Sequence, residues 1–268
     1  MKKLPIVLLV IILGLGGYVA LSLLSKTAQK TPLPTDVSET AKVREKDVVE
    51  DATLEEKKPV LMDPAKIDPL RFTTTINNKY FSLPVGRELT YEGKTEDGLE
   101  KIVISINGDT KLVAGVKTLI YRDKVWLDGE LVEDTRDYLA QDDMGNVWYF
   151  GEDVDNYEDG KLLDHEGAWL AGVDGAEPGL WIKAEHVKGD SYKQEYYKGK
   201  AEDMRDVIST SEPLKIKMGS YTNCVKMYDW TPLDKDAREY KYYCAELGAM
   251  VLETNFTGGE RIELVGIK

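Results

Sequence analysis

Three Asp-Gly pairs, Asp97-Gly98, Asp128-Gly129 and Asp159-Gly160, interrupt runs of alternating apolar and polar residues. They constrain the fold of this chain more than any other feature. Glycine takes positive φ without steric cost and aspartate tolerates it better than most residues, so each pair suits a tight strand reversal. The flanking runs have the two-residue period of half-buried strands. RELTYEGKTEDGLEKIVISI sets Ile102, Ile104 and Ile106 against Val103 and Ser105, and VKTLIYRDKVWLDGELVEDTRDYLAQ and DNYEDGKLLDHEG repeat the arrangement. The pattern predicts successive hairpins, hence an all-β domain built as an antiparallel meander that forms a curved sheet or a partly open barrel. One segment, AEDMRDVI (201–208), fits either a helical turn or an edge strand.

The N-terminal quarter of the 268 residues reads differently. Lys2 and Lys3 precede an uncharged run from Leu4 to Ser25, and about 20 apolar residues cross the hydrocarbon core as a helix. This predicts a signal-anchor transmembrane helix over 1–25, its positive flank cytoplasmic and the remainder extracytoplasmic. The alternative is a cleaved signal peptide, with Ala20-Leu21-Ser22 as its small-x-small site. Residues 26–70 hold half of the ten prolines, and no aromatic residue lies between Tyr18 and Phe72. Such a segment buries too little apolar surface to offset its ordering entropy, so it reads as a disordered linker. The β domain then spans 71–268, and a domain of that size removes roughly 70% of its unfolded surface from water without metals or many disulfides. A net charge of -13 argues against nucleic-acid binding, which depends on cationic neutralisation of phosphates.

Residues 138–181 crowd acids, glycines and Trp148, Trp169 and Trp181 together. Within them Asp143-x-Gly145-x-x-Trp148 matches the later part of an Asp box, Ser-x-Asp-x-Gly-x-x-Trp, with Gln141 in place of the serine. In that motif the carboxylate caps a turn and the indole packs beneath it. Asp153, Asp155 and Asp159 offer the oxygen ligands that calcium prefers, although Tyr157 breaks the spacing of an EF-hand loop. A solvated acidic hairpin explains the same residues. Asp164 and Glu166 are the candidate carboxylates for hydrolysis, a pairing that needs two acids about 5–9.5 Å apart across a cleft. The two histidines, His165 and His186, lie beside acids but lack helical metal-ligand spacing. No serine nucleophile elbow, phosphate loop or HExxH segment is present. The segment AGVDGAEPG (171–179) has more glycine than one turn needs, which marks a ligand loop containing Asp174, with Trp169 and Trp181 as its walls.

Two tyrosine-rich runs, KQEYYKGK (193–200) and EYKYYC (239–244), alternate aromatic with charged residues as strands with one buried face do. Their inward aromatics form plain core or line an apolar ligand cavity. Cys224 and Cys244 flank the turn-forming TPLDKDA; a hairpin centred near Asp234 places them opposite each other. Outside the cytoplasm such a pair forms a disulfide; the alternative is two buried thiols.

YEGKTEDG (91–98), DGELVEDTRDYLAQDDMGNVWYFGED (128–153), AGVDGAEPG and KQEYYKGKAEDM (193–204) together resemble a family of bacterial secreted or membrane-attached β-rich proteins that carries no established activity. The likeness spans most of 72–265. The family's last strands resemble YAPGVGLV where this chain has YCAELGAM (243–250), which implies that the disulfide belongs to a subgroup. The resemblance implies no catalytic residues. More remotely, the strand order is similar to that of open-barrel lipoprotein carriers.

Taken together, these features predict a membrane-tethered, extracytoplasmic, non-catalytic binding or scaffold domain without a cofactor, holding a lipid or other apolar ligand in its concave face. The alternatives are an envelope hydrolase using paired carboxylates and a structural domain stabilised by calcium.

Overall fold

The computed structural model describes residues 66–268. The transmembrane helix expected over 1–25, and the expected linker up to residue 65, lie outside the described residues. In chain order the strands are β1 (Phe72–Thr73), β2 (Asn77–Asn78), β3 (Phe81–Ser82), β4 (Glu88–Lys94), β5 (Leu99–Ser105), β6 (Thr110–Val113), β7 (Val116–Leu127), β8 (Glu130–Asp142) and β9 (Val147–Glu158). There follow β10 (Lys161–Asp164), β11 (Trp169–Leu170), β12 (Gly179–Ile182), β13 (Ser191–Lys193), β14 (Met204–Ile216), β15 (Gly219–Trp230), β16 (Arg238–Cys244), β17 (Ala249–Asn255) and β18 (Arg261–Ile267).

All three Asp-Gly pairs lie at hairpin turns. Gly98 turns β4 into β5 at φ 154°, Asp128 and Gly129 turn β7 into β8 at φ 50° and 89°, and Asp159 and Gly160 turn β9 into β10 at φ 51° and 71°. Two consecutive residues at positive φ twist a two-residue turn in the same sense as its flanking strands, which is why Asp-Gly serves there. The resulting antiparallel sheet runs β10-β9-β8-β7-β5-β4-β18-β17-β16-β15-β14-β13. Because β4 is bonded to β5 on one side and to β18 on the other, the end of the chain completes the pairing of its first long strand. The sheet does not close into a barrel. Its β9 and β13 ends nevertheless approach each other through an isolated bridge between Glu177 and Tyr196. Gly179 permits that approach, since a Cβ there would stand 2.1 Å from the carbonyl oxygen of Gln194.

An aromatic cluster fills the inner face. Phe81 lies 5.7 Å from both Tyr121 and Trp181, and Trp181 lies 5.0 Å edge-on from Tyr149, as measured between ring centroids. Ile102, Ile104, Leu89 and Leu264 are buried around them. At the start of the described chain, Asp68 caps a 3-10 turn at Pro69–Arg71, Arg71 binds Asp143, and Ile67 packs against the core.

Four local expectations need adjustment. AEDMRDVI is neither helix nor edge, because β14 starts at Met204 and lies between β13 and β15. The carboxylate that caps the Asp-box turn is Asp142, one residue before the motif position. Its Oδ1 accepts from the backbone N–H groups of Met144 and Asn146, and its Oδ2 accepts from Trp148 Nε1 at 2.8 Å. Asp143 faces outward to Arg71. KQEYYKGK is a tight loop beyond Lys193, closed by reciprocal bonds between Tyr197 and Ala201. In EYKYYC the inward residues are Glu239, Lys241 and Tyr243, whereas Tyr240 and Tyr242 face out. Period-two alternation separates the faces of a strand without saying which one is inside.

Cys224 and Cys244 are direct partners across β15 and β16 and form a disulfide. Closing a loop of about 20 residues restricts the unfolded chain by about 3 kcal/mol. A Cys224→Ala/Cys244→Ala variant is therefore expected to lose about 3 kcal/mol in denaturant titration; a loss below about 1 kcal/mol contradicts a stabilising bridge.

Candidate functional site

The sequence-predicted candidates separate. Asp153 is taken by Lys111 at 2.8 Å and by the Tyr138 hydroxyl. Asp155 is taken by Arg136 and by His165 Nδ1, each at 2.9 Å, and Asp159 occupies the exposed β9–β10 turn. The three therefore do not converge as calcium ligands. Among the described residues the one grouping of three such side chains with ligand atoms within 4.8 Å is Cys224, Cys244 and Glu246, whose two sulfurs are bonded to each other. Asp164 Oδ1 accepts from Asn156 Nδ2 at 2.8 Å and from the backbone N–H of Glu166 at 3.1 Å, so these two acids share one turn and do not face each other across a cleft. His186 sits apart, edge-on to Tyr80 at 5.0 Å, and burial lowers its pKa to about 4.

The loop 171–179 folds on itself, with Gly172 N–H bonded to the Ala176 carbonyl and Ala176 N–H to that of Val173. Asp174 takes φ 51° at its exposed tip. Trp169 and Trp181 are buried in the core, each edge-on to Tyr149. They are interior packing, not walls of a loop site.

Reasoning from the sequence missed two arrangements. The first is a charged interior. Arg205, fully buried, donates to both carboxylate oxygens of Asp229 at 2.7 and 2.5 Å and to the Trp181 carbonyl at 2.5 Å, while its guanidinium stands 5.3 Å from the centroid of the Tyr243 ring. Lys241 meets Glu239 at 2.6 Å, Asp229 at 3.5 Å and Glu253 at 3.6 Å. Further along the same face, Glu195 accepts from Trp169 Nε1 at 2.9 Å and Asp137 from the Tyr149 hydroxyl at 2.7 Å. Desolvation pushes the carboxyls of Glu152, Glu195 and Glu253 well above their ordinary values, lifts Glu133 to about 7 and, with Glu260 adding repulsion, lifts Glu100 to about 8. Asp229 moves the other way because Arg205 and Lys241 outweigh its burial. Apart from the partly exposed Glu260, the carboxyl residues among these groups are at most 6% exposed. The inner face is thus occupied by rings, by acids paired with cations and by acids whose pKa burial raises.

The second arrangement is a cleft of about 810 Å³ bordering β4, β5, β7 and β18, which the turn between β14 and β15 reaches over. Trp126, Lys101, Glu92 and Glu263 are cross-strand neighbours on one row of the outer face. Two long-range contacts bring the hairpin tip there. Lys217 N–H donates to Glu263 Oε2 at 2.8 Å, and Arg261 Nη2 donates to the Lys215 carbonyl at 2.8 Å. Gly93 lets β4 lie tight against β18, since a Cβ would meet the Arg261 carbonyl oxygen at 2.4 Å. A bulge leaves Val132 of β8 without a partner opposite Val125 and Trp126, and bulges of this kind re-aim neighbouring side chains. No local signal marks this cleft, because its walls join residues 92–129 to Lys217 and to Arg261 and Glu263, far along the chain.

No family model and no curated protein sequence matches this chain. Among solved structures it is similar to "a putative lipoprotein from Parabacteroides distasonis ATCC 8503", at 11% identity and a TM-score of 0.37, over 70% of this chain and 98% of the other.

Proposed function

We propose that this chain is a non-catalytic binding domain, tethered to the cell membrane through its N-terminal apolar segment and acting outside the cytoplasm. Its ligand is held in the outer cleft beside Trp126, not on the concave face. One observation carries this reading: the cleft is open and about 810 Å³ in volume, within the roughly 300–1,000 Å³ of small-molecule sites. The concave face, by contrast, is packed with side chains. Among the described residues Glu100 is the one strongly raised acid that borders the cleft, where it is 6% exposed; Glu133, Glu152, Glu195 and Glu253 are buried away from it, so no pair of raised carboxyls meets there, which supports binding over hydrolysis. Leu99, 63% exposed and lining the cleft, offers a way to block it without disturbing the core. Native mass spectrometry of the detergent-solubilised full chain, after incubation with polar and lipid fractions of a bacterial envelope, is expected to show a retained small molecule that Leu99→Trp abolishes. Retention unaffected by Leu99→Trp, or no retention, rejects the cleft as the site.

A further inference from the structure

We infer that the ligand of this cleft is an oligosaccharide whose pyranose face stacks on Trp126; the inference rests on the proposed reading of the cleft as the binding site. Charge balance is the first argument. The lining carries Lys94, Lys101, Lys217 and Arg261 in a protein whose net charge is -13, yet Glu92, Glu100, Asp128 and Glu263 stand among them. A site for a free anion needs a clear cationic excess, and a site for a lipid chain needs few charges. Interleaved cations and carboxylates supply donors and acceptors side by side, which suits hydroxyl groups, because each hydroxyl both donates and accepts.

Preorganisation is the second argument. Glu263 is fixed by Arg261 and by the Lys217 N–H, and Asp128 accepts from the Leu99 N–H at 2.9 Å. Lys94 and Glu92 are exposed on β4, and among the described residues their side chains make no hydrogen bond or ion pair, which leaves them available to a ligand. Polar groups held in place before binding lose less freedom when they are used.

The indole is the third. Trp126 is partly exposed on β7, with Lys101 Nζ over its ring at 5.9 Å from the centroid, an ammonium on a flexible stem that a stacked ligand would move aside. An aromatic face carries partial negative charge, and the C–H bonds on one side of a pyranose ring, polarised by neighbouring oxygens, present positive charge to it. A ring stacked there would place its equatorial hydroxyls near Lys101 and Glu92 in the same row.

The test is isothermal titration calorimetry on the detergent-solubilised full chain. The probes are linear tetrasaccharides of glucose, of N-acetylglucosamine and of galacturonic acid, with inorganic phosphate and laurate as contrasts. At least one tetrasaccharide is expected to bind with Kd of roughly 1 mM or tighter. Trp126→Ala and, separately, Glu92→Ala are expected to weaken it by about 10-fold or more while the thermal midpoint stays within about 3 °C of the parent. Both residues lie outside the buried core, and Glu92→Ala decides the outcome if Trp126→Ala shifts the midpoint. Failure of all three tetrasaccharides to bind at roughly 10 mM, binding unaltered in both variants, or displacement by phosphate or laurate overturns the inference. A retained ligand of other chemistry that Leu99→Trp abolishes would overturn the saccharide while leaving the cleft as the site.

Discussion

An Arg205→Met variant is expected to lose about 3–5 kcal/mol of folding stability, the usual cost of removing one partner from a buried ion pair. In a domain of about 200 residues that corresponds to a fall of roughly 6–20 °C in thermal midpoint. The guanidinium side chain is fully buried, and its partner Asp229 is only 6% exposed. Methionine of similar length fills the space but leaves Asp229 with Lys241 alone, at 3.5 Å, and leaves the Trp181 carbonyl without its donor. The double variant Arg205→Met/Asp229→Leu is expected to recover more than half of the loss, since a matched apolar pair removes the unpaired charge along with the bond. Chemical denaturation of the two variants decides the matter. A loss below about 1 kcal/mol for Arg205→Met would show that water or repacking compensates the carboxylate.

Raising the pH from about 5.5 to about 9 is expected to lower the thermal midpoint by on the order of 10 °C. Glu100 and Glu133 keep their protons up to about 8 and about 7 in the folded domain, because burial penalises the charged form. Asp137, Glu152, Glu195 and Glu253 shift in the same direction for the same reason. The unfolded chain releases these protons above about 4.5. Folding therefore takes up protons, and the stability they lend is complete below the unfolded values and is lost as pH rises through the folded ones. Asp229, Asp134 and Asp153 act in the opposite sense, with pKa values lowered in the fold by their cationic partners. Their contribution is lost only as pH falls through those lowered values, so maximum stability is expected on the mildly acid side of neutrality. Glu100→Gln keeps the shape and removes the titration, and it should flatten the decline between about pH 5 and 8. A midpoint that is flat or rising with pH would show that these carboxyls ionise in place, reached by water.

Much of the strand architecture was legible because turn chemistry is local. Asp128-Gly129 and Asp159-Gly160 adopt the left-handed conformation that few other pairs tolerate, and TPLDKDA between two alternating strands placed Cys224 opposite Cys244. The Asp-box turn was found through its spacing, although the capping oxygen belongs to Asp142; adjacent acids look alike in sequence, and only the side-chain direction separates them.

The site was less legible. The acids of residues 153–164 drew notice because they are dense, yet density on an exposed hairpin is cheap, and Asp153 and Asp155 turn out to neutralise Lys111, Arg136 and His165. Trp169 and Trp181 look like binding aromatics beside a glycine-rich loop, but strand alternation sends both indoles inward.

By itself the sequence determined the antiparallel hairpins, their turn positions and the disulfide pair, because each depends on residues within a few positions of one another or on a single hairpin. Only the tertiary structure decided that Glu239 and Lys241 face inward with Tyr243, that Arg205 meets Asp229, and that Trp126 shares a cleft with Lys217 and Arg261. The physical reason is the same throughout. Alternation fixes two faces of a strand but not which is covered, and the covering is supplied when β18 pairs with β4, a contact between opposite ends of the domain.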